Sequence, residues 1–404
     1  MAGEHLGDRL ARLRRMADLT QERLAERAGV SVDVVRKLEQ RRKHSARLPT
    51  LHALARGLGV ELTALLGDPP GVPSTGEVDP PQLVAIRRAI LPPMFAVPPD
   101  PSGPERLSLP LVLAEITQAW TLYHAAGFGR LMDLLPGLID DARFVATVGT
   151  SGERAAGQAA LAKVLQLGGH LAIRLGKSDL AISALERAIR AAEASSDPLL
   201  APMICNSVAW AYQRQNRLDD AGRLAVWAAD TVEREGALSA ESVRVRGSLL
   251  MSAATSAARG GDYDRARDMM GTSEHLAGSL TALPPPVNGK LVSVFSRSSV
   301  RIERVRLAVQ HARPEEALTL ARGLRLSRDT PVSWRTWLLL DVARAHADLG
   351  DATRAVKTLE SLRRAAPGWM RHHTLAVAVV SDLWAGPVRP PGLRKLATEL
   401  GVAG

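Results

Sequence analysis

A chain of 404 residues is too long for one small domain, and its 46% hydrophobic content can furnish a sizeable core. Only 3% of residues are aromatic, so Leu, Ala and Val must build that core, which favours packed helices over β-sandwiches. The formal net charge of +10 points to an acidic partner, nucleic acid before membrane; no apolar run is long enough to span a bilayer and the N-terminus is unlike a signal peptide, so a cytoplasmic protein is expected.

Residues 1–68 are charged and nearly free of proline. A first helix is expected over Leu6–Ala17, with Leu6, Leu10, Leu13 and Ala17 inward. Thr20 is a good N-cap for a second helix carrying Leu24 and Ala25 inward; Arg23 at the third position makes this a plain cap and not a capping box. Gly29 permits a tight turn and Ser31 caps a third helix. Val34, Val35 and Leu38 fall inward there, leaving Val32, Asp33, Arg36 and Lys37 outward on a face that runs into Arg41, Arg42 and Lys43. Two closing helices, separated by a stop at Gly59, complete a five-helix unit.

Spacing and residue type together make residues 6–67 resemble the Cro/C1-type, XRE-family helix-turn-helix of phage repressors. The positions that carry the likeness are Gln21, Leu24-Ala25, Gly29, Ser31, Leu38-Glu39 and Leu54-Ala55-Arg56-Gly57-Leu58-Gly59-Val60. The resemblance implies that Gln21 clamps a phosphate, that Val32, Asp33 and Lys37 touch base edges with Arg36 beside them, and that Arg14 pairs with Glu39. The family often has Asn-Gly after Leu-Glu; this chain has Gln40-Arg41. Chemically, Lys37 can donate to guanine, Asp33 accept from cytosine N4 and Val32 meet a thymine methyl. Arg36, Arg41, Arg42, Lys43 and Arg47 suit phosphates, which set register without encoding sequence. Ser31, at the start of the third helix, completes the DNA-facing set. A merely solvated charged face is the alternative, and the complete motif outweighs it. One copy grips double-stranded DNA weakly, so a homodimer on two half-sites is expected.

Residues 69–110 are crowded with proline and read as an extended linker holding one short helix, Gln82–Leu91. From residue 111 to 404 the pattern is helical and repeats itself. Gly176…Ala181, Asn216…Ala221, Gly261…Ala266, Ala312…Ala317 and Gly350…Ala355 each follow one apolar helix and open another, roughly 40–50 residues apart. Gly or Asn at the first position ends a helix in the left-handed region, and the alanine five residues on allows close helix packing. These hairpins resemble tetratricopeptide repeats, with an earlier one around Trp120, Tyr123 and Gly127, and imply an all-α solenoid with a concave groove.

Little of this looks catalytic. Gly176-Lys177-Ser178 lacks the first glycine of a phosphate loop, since residue 171 is Leu. His372-His373 has no ligand partners at metal spacing, and Cys205 reads as a buried inert thiol. No cofactor or metal and no enzymatic activity are expected. Groove candidates are Asn206, Tyr212, Gln213, Arg246, Asn288, Arg297, Arg301 and Arg304; the last three share a helical face suited to a carboxylate. Trp334 and Trp337 are assigned to core packing. Two readings follow. The solenoid dimerises and senses a peptide or small effector for a DNA-binding regulator, or it is a scaffold docking a protein partner that the helix-turn-helix recruits to DNA. The high Ala, Arg and Gly with little Lys fits a GC-rich, actinobacterial origin.

Overall fold

The computed structural model describes residues 5–43, 46–66, 79–93, 108–125, 127–234, 239–281, 295–326, 330–371 and 373–402. Every regular element among them is a helix. Asn288 and most of the proline-rich stretch (67–78 and 94–107) lie outside the described residues.

Helices α1 (Leu6–Met16), α2 (Gln21–Ala28), α3 (Val32–Glu39), α4 (Leu48–Leu58) and α5 (Leu62–Leu66) form the N-terminal unit. Its core is aliphatic, with Leu10, Leu24, Val35, Leu38, Leu51, Leu54 and Leu65 fully buried. Each such side chain contributes about 1.5–3 kcal/mol on leaving water. Thr20 accepts from the Arg23 N–H, and Gly29 (φ 63°) and Gly59 (φ 69°) close α2 and α4 in the left-handed region. Two expectations shift. Ser31 makes no side-chain capping bond, although its backbone is extended as an N-cap should be. Val34 is half-buried beside Val32, leaving Val35 and Leu38, one turn apart on the same face, as the inward pair.

The short helix of the proline-rich stretch, α6 (Pro81–Ile90), starts one residue before the expected Gln82 because proline fits a first helical turn. Leu83, Ile86 and Ile90 are buried in the core of the first repeats. Asp79 bridges Lys177 (2.6 Å) and Arg87 (3.2 Å), and Arg87 also reaches Asp179 (3.1 Å), so the helix is strapped to the solenoid.

The remaining helices pair as hairpins: α7 (Leu109–His124) with α8 (Phe128–Val145), α9 (Ser151–Arg174) with α10 (Ser178–Glu193), and α11 (Leu200–Arg214) with α12 (Leu218–Arg234). Next come α13 (Ala240–Gly260) with α14 (Tyr263–Ser279), α15 (Arg297–Gln310) with α16 (Pro314–Arg322), and α17 (Val332–Asp348) with α18 (Ala352–Ala365). The chain closes with α19 (Pro367–Arg371), α20 (Thr374–Ala385) and α21 (Leu393–Glu399). The expected Gly and Asn turn residues have positive φ, Gly176 70°, Asn216 59°, Gly261 93° and Gly350 78°, and so, beyond the expectation, does Ala312 at 57°. Ala312 holds that conformation despite its Cβ, which costs about 1–2 kcal/mol and marks how firmly the neighbouring helices impose the turn. The paired alanines 181, 221, 266, 317 and 355 are buried to 1% exposure or less, where only a methyl lets the two helix backbones approach. Gly127, in the earlier hairpin, has φ −77° and is not a left-handed turn. Cys205 is buried, and desolvation pushes its thiol up to about 11, consistent with an inert core residue.

The superhelix curls until its first and sixth hairpins touch. His124 Nδ1 of α7 lies 3.2 Å from Ser333 Oγ of α17, and the Arg174 guanidinium of α9 sits between Trp210 (5.1 Å) and Trp337 (5.7 Å). No helix among the described residues is long and apolar enough to cross a membrane.

Candidate nucleic-acid interface and its seat on the solenoid

The outward face of the N-terminal unit is carried by α3, which packs on α1 and α2. That packing is held by one node. Arg14 of α1 donates from Nε and Nη2 to both Glu39 carboxylate oxygens (2.7 and 3.0 Å) and from Nη1 to the Leu19 carbonyl (2.7 Å). Gln21 Nε2 donates to Glu39 as well (2.7 Å), so in this state its amide positions α3 and is engaged inside the fold. Glu39 is 7% and Arg14 15% exposed, and the carboxylate beside it raises the Arg14 pKa.

Outward from that node, Arg36, Lys37, Arg42, Lys43 and Arg47 are exposed. Val32 is half-buried and Ser31 exposed at the helix start. Lys37 and Asp33, both more than half exposed, pair one turn apart (2.7 Å), and the lysine holds the Asp33 carboxyl below its usual range. An exposed pair of this kind is worth well under about 1 kcal/mol, so either partner can turn to another group cheaply. Arg41 occupies the place where the related motif has glycine. It adopts φ 55°, and its guanidinium is anchored on Asp8 by two bonds (3.1 and 2.7 Å), half withdrawn from the face the sequence assigns it to.

The opposite side of the unit is docked on the solenoid. Arg344 of α17, 3% exposed, donates to the Ala46 carbonyl (3.1 Å) and is itself neutralised by Asp348 (2.8 Å) and Asp382 (2.9 Å). Leu48 is buried in the C-terminal core, Arg56 Nη1 donates to the Arg259 carbonyl (2.8 Å), and Ser178 Oγ donates to Glu61 (3.0 Å). The seat is therefore built from the turn between α9 and α10, the end of α13, and α17. None of these contacts uses α3.

The other sequence candidates are dispersed. Arg297, Arg301 and Arg304 are all exposed; Arg297 donates to the Gly278 carbonyl (3.3 Å) and Arg304 pairs with Glu274 (2.9 Å), both on α14 and away from the inner surface. Arg246 pairs with Glu233, and Gln213 donates into α13 at Ser252 and Ser256. Asn206 is half-buried on α11, one turn before Trp210, which does face the inside.

What lies inside is a set that sequence reasoning did not assemble. His170 stands 5.1 Å from both Trp120 and Trp210. Trp337, beneath the Arg306 guanidinium (4.3 Å), meets His373 (4.4 Å), which stacks on Trp369 (4.3 Å). Trp337 thus joins an inter-repeat cluster, while Trp334 packs in the core. Arg306 bridges Glu303 (3.0 Å) and Asp341 (3.3 Å); burial with a second carboxylate nearby pushes Asp341 up to about 6. Four of the seven tryptophans, Trp120, Trp210, Trp337 and Trp369, gather here. That concentration in an aromatic-poor chain was the available signal. The cluster fastens the curled superhelix across its own interior. Among the described residues no group of His, Cys, Asp or Glu could hold a metal ion.

Residues 5–66 match the model of a helix-turn-helix domain family. No curated protein matches the chain. Among solved structures, the chain is similar to BtubC (BKLC) from P. vanneervenii at 16% identity, covering 65% of this chain and 92% of that one with a TM-score of 0.39. It is also similar to a Rap protein in complex with competence and sporulation factor, at 12% identity, 73% and 88% coverage and a TM-score of 0.45. The N-terminal unit is a helix-turn-helix domain, and α7–α18 form a helical-repeat array.

Proposed function

We propose that this protein is a sequence-specific, DNA-binding transcription regulator of the cytoplasm, without enzymatic activity. Its helix-turn-helix, of Cro/C1 type, reads one half-site, and its helical-repeat region dimerises and senses a peptide or small effector. The observation that carries the reading is the orientation of α3. Arg36, Lys37, Arg42 and Lys43 are exposed on and just beyond α3, which takes no part in the docking contacts, and Arg47 is exposed between the docked Ala46 and Leu48. Lys37, with Val32 and Asp33, is assigned base edges in the major groove; the flanking arginines and Lys43 are assigned phosphates. Gln21 is assigned a phosphate only after leaving Glu39.

Sensing is supported by the seat. The head rests on three widely separated repeats, so a ligand that favours one curvature of the solenoid over another tilts the head and alters half-site spacing. A ligand of equal affinity for both shapes would shift nothing. Recovering protein-bound DNA genome-wide tests the reading: a shared sequence with two-fold symmetric half-sites is expected, and recovery of no common sequence overturns it.

A further inference from the structure

Between the helix-turn-helix and the solenoid lies a cavity of about 310 Å³ with walls from both. The head contributes His52 and Arg56 of α4 and the turn at Gly29; the solenoid contributes Arg259 at the end of α13, Tyr263 at the start of α14, and Gln310 of α15. Its charge is lopsided. The charged groups acting on His52 are Arg56, Arg214 and Arg259, and those acting on Arg259 are Arg214 and Glu61, the latter already accepting from Ser178. Burial and the neighbouring arginines hold His52 neutral and lower Arg259 to about 10. Gln310 is 7% exposed and its Oε1 has no hydrogen-bond partner, and the buried Arg259 Nε has none either.

An interface built only to hold two domains together would not bring like charges to face a polar void. Two guanidinium groups, a neutral imidazole and a primary amide offer more donors than the two oxygens of a carboxylate can accept, and match the three terminal oxygens of a phosphoryl group. The bare Gln310 oxygen asks in addition for a donor, such as a hydroxyl.

We propose that this cavity binds a small phosphate monoester with a hydroxylated body, and that the bound ester clamps the helix-turn-helix to the solenoid. Arg56 and Arg259 grip the phosphoryl group from the two domains, His52 donates to it, and Gln310 accepts from a hydroxyl. Because the walls belong to different domains, the ligand binds the docked arrangement better than any undocked one, and the difference between the two affinities is the coupling. The binding half of the proposal is independent of the regulator reading; its consequence for DNA occupancy rests on that reading.

The test uses the full chain with ribose 5-phosphate, ribose and inorganic phosphate as probes at matched ionic strength, followed by calorimetry and by hydrogen exchange of the α4 amides. Ribose 5-phosphate should bind at least about tenfold tighter than either fragment and slow α4 exchange. Arg259→Met and Gln310→Leu, checked for unchanged helix content, should each weaken binding about tenfold and abolish the protection. Equal binding by the two variants and the parent, binding without α4 protection, or no binding by any phosphate probe overturns the proposal. None of these readouts involves DNA, so failure of the site and failure of the DNA-binding reading are separable.

Discussion

Replacing Glu39 with Ala should uncouple α3 from α1 without disturbing the solenoid. The carboxylate accepts from Arg14 Nε and Nη2 and from Gln21 Nε2, all between 2.7 and 3.0 Å. Charge-assisted bonds are worth about 1.5–3 kcal/mol each, but they are not additive, and loss of one partner from a buried pair typically costs about 3–5 kcal/mol. Arg14 keeps 15% exposure and its bond to the Leu19 carbonyl, so part of its charge remains solvated, and the low end, about 3 kcal/mol, is expected. A domain of this size has total stability of only a few kcal/mol, so the loss is large. Hydrogen exchange on the full chain reads it directly: amides of α1–α3 should exchange on the order of a hundredfold faster, while α9–α13 serve as an unchanged internal reference. The double replacement Arg14→Met with Glu39→Leu should recover part of the protection, because no charge is then stranded. A change in α1–α3 exchange of less than about threefold in Glu39→Ala would refute the node as the element that sets α3 on α1.

Three further outcomes are expected. In fluorescence anisotropy against the cognate site, Lys37→Ala should lose about 1–3 kcal/mol and relax preference at one base pair, whereas Arg42→Ala should weaken all sequences alike and lower the salt slope by about one. Arg41→Gly removes a left-handed penalty of about 1–2 kcal/mol and the exposed Asp8 pair worth about 0–1, so chemical denaturation should show a net stabilisation of about 0–2 kcal/mol. Acid should weaken the solenoid through its histidines. Burial lowers His170 to about 3 and His311 to about 4, so the stability that each neutral ring confers is complete above the unfolded value of 6.5 and is lost as pH falls toward those values. His170 Nε2 lies 2.8 Å from Ser207 Oγ, which also accepts from Gln166 Nε2, so the ring sits in a buried polar contact. In His170→Gln the pH dependence of the denaturation midpoint between about 6.5 and 4 should flatten, and an unchanged slope would count against this assignment.

Much of this architecture was legible in the residues because the constraints are local. A left-handed turn needs Gly, Asn or a residue held there by force, and the small residue five positions on must touch the partner helix; both signals sit within one hexapeptide, as at Gly176–Ala181 and Gly350–Ala355. The head is legible from fixed spacings within sixty-odd residues, and the family resemblance they carry implies the Arg14–Glu39 pair. The inner and outer surfaces of the solenoid were not legible. Periodicity places Arg297, Arg301 and Arg304 on one face but cannot say that this face meets α14 and not the lumen. The lumen cluster draws single residues from helices between Trp120 and His373, so its members become neighbours only after the superhelix has curled. The seat of the head is hidden for the same reason, since Arg344 looks in sequence like any basic residue on a long helix.

The bond from Arg344 to the Ala46 carbonyl joins positions 298 residues apart. On a ribosome adding roughly 5–20 residues per second, the reading head, which has its own hydrophobic core, is complete roughly 15–60 s before its seat has been synthesised. Each new molecule therefore passes through an age in which the helix-turn-helix domain stands folded without the surface it will rest on.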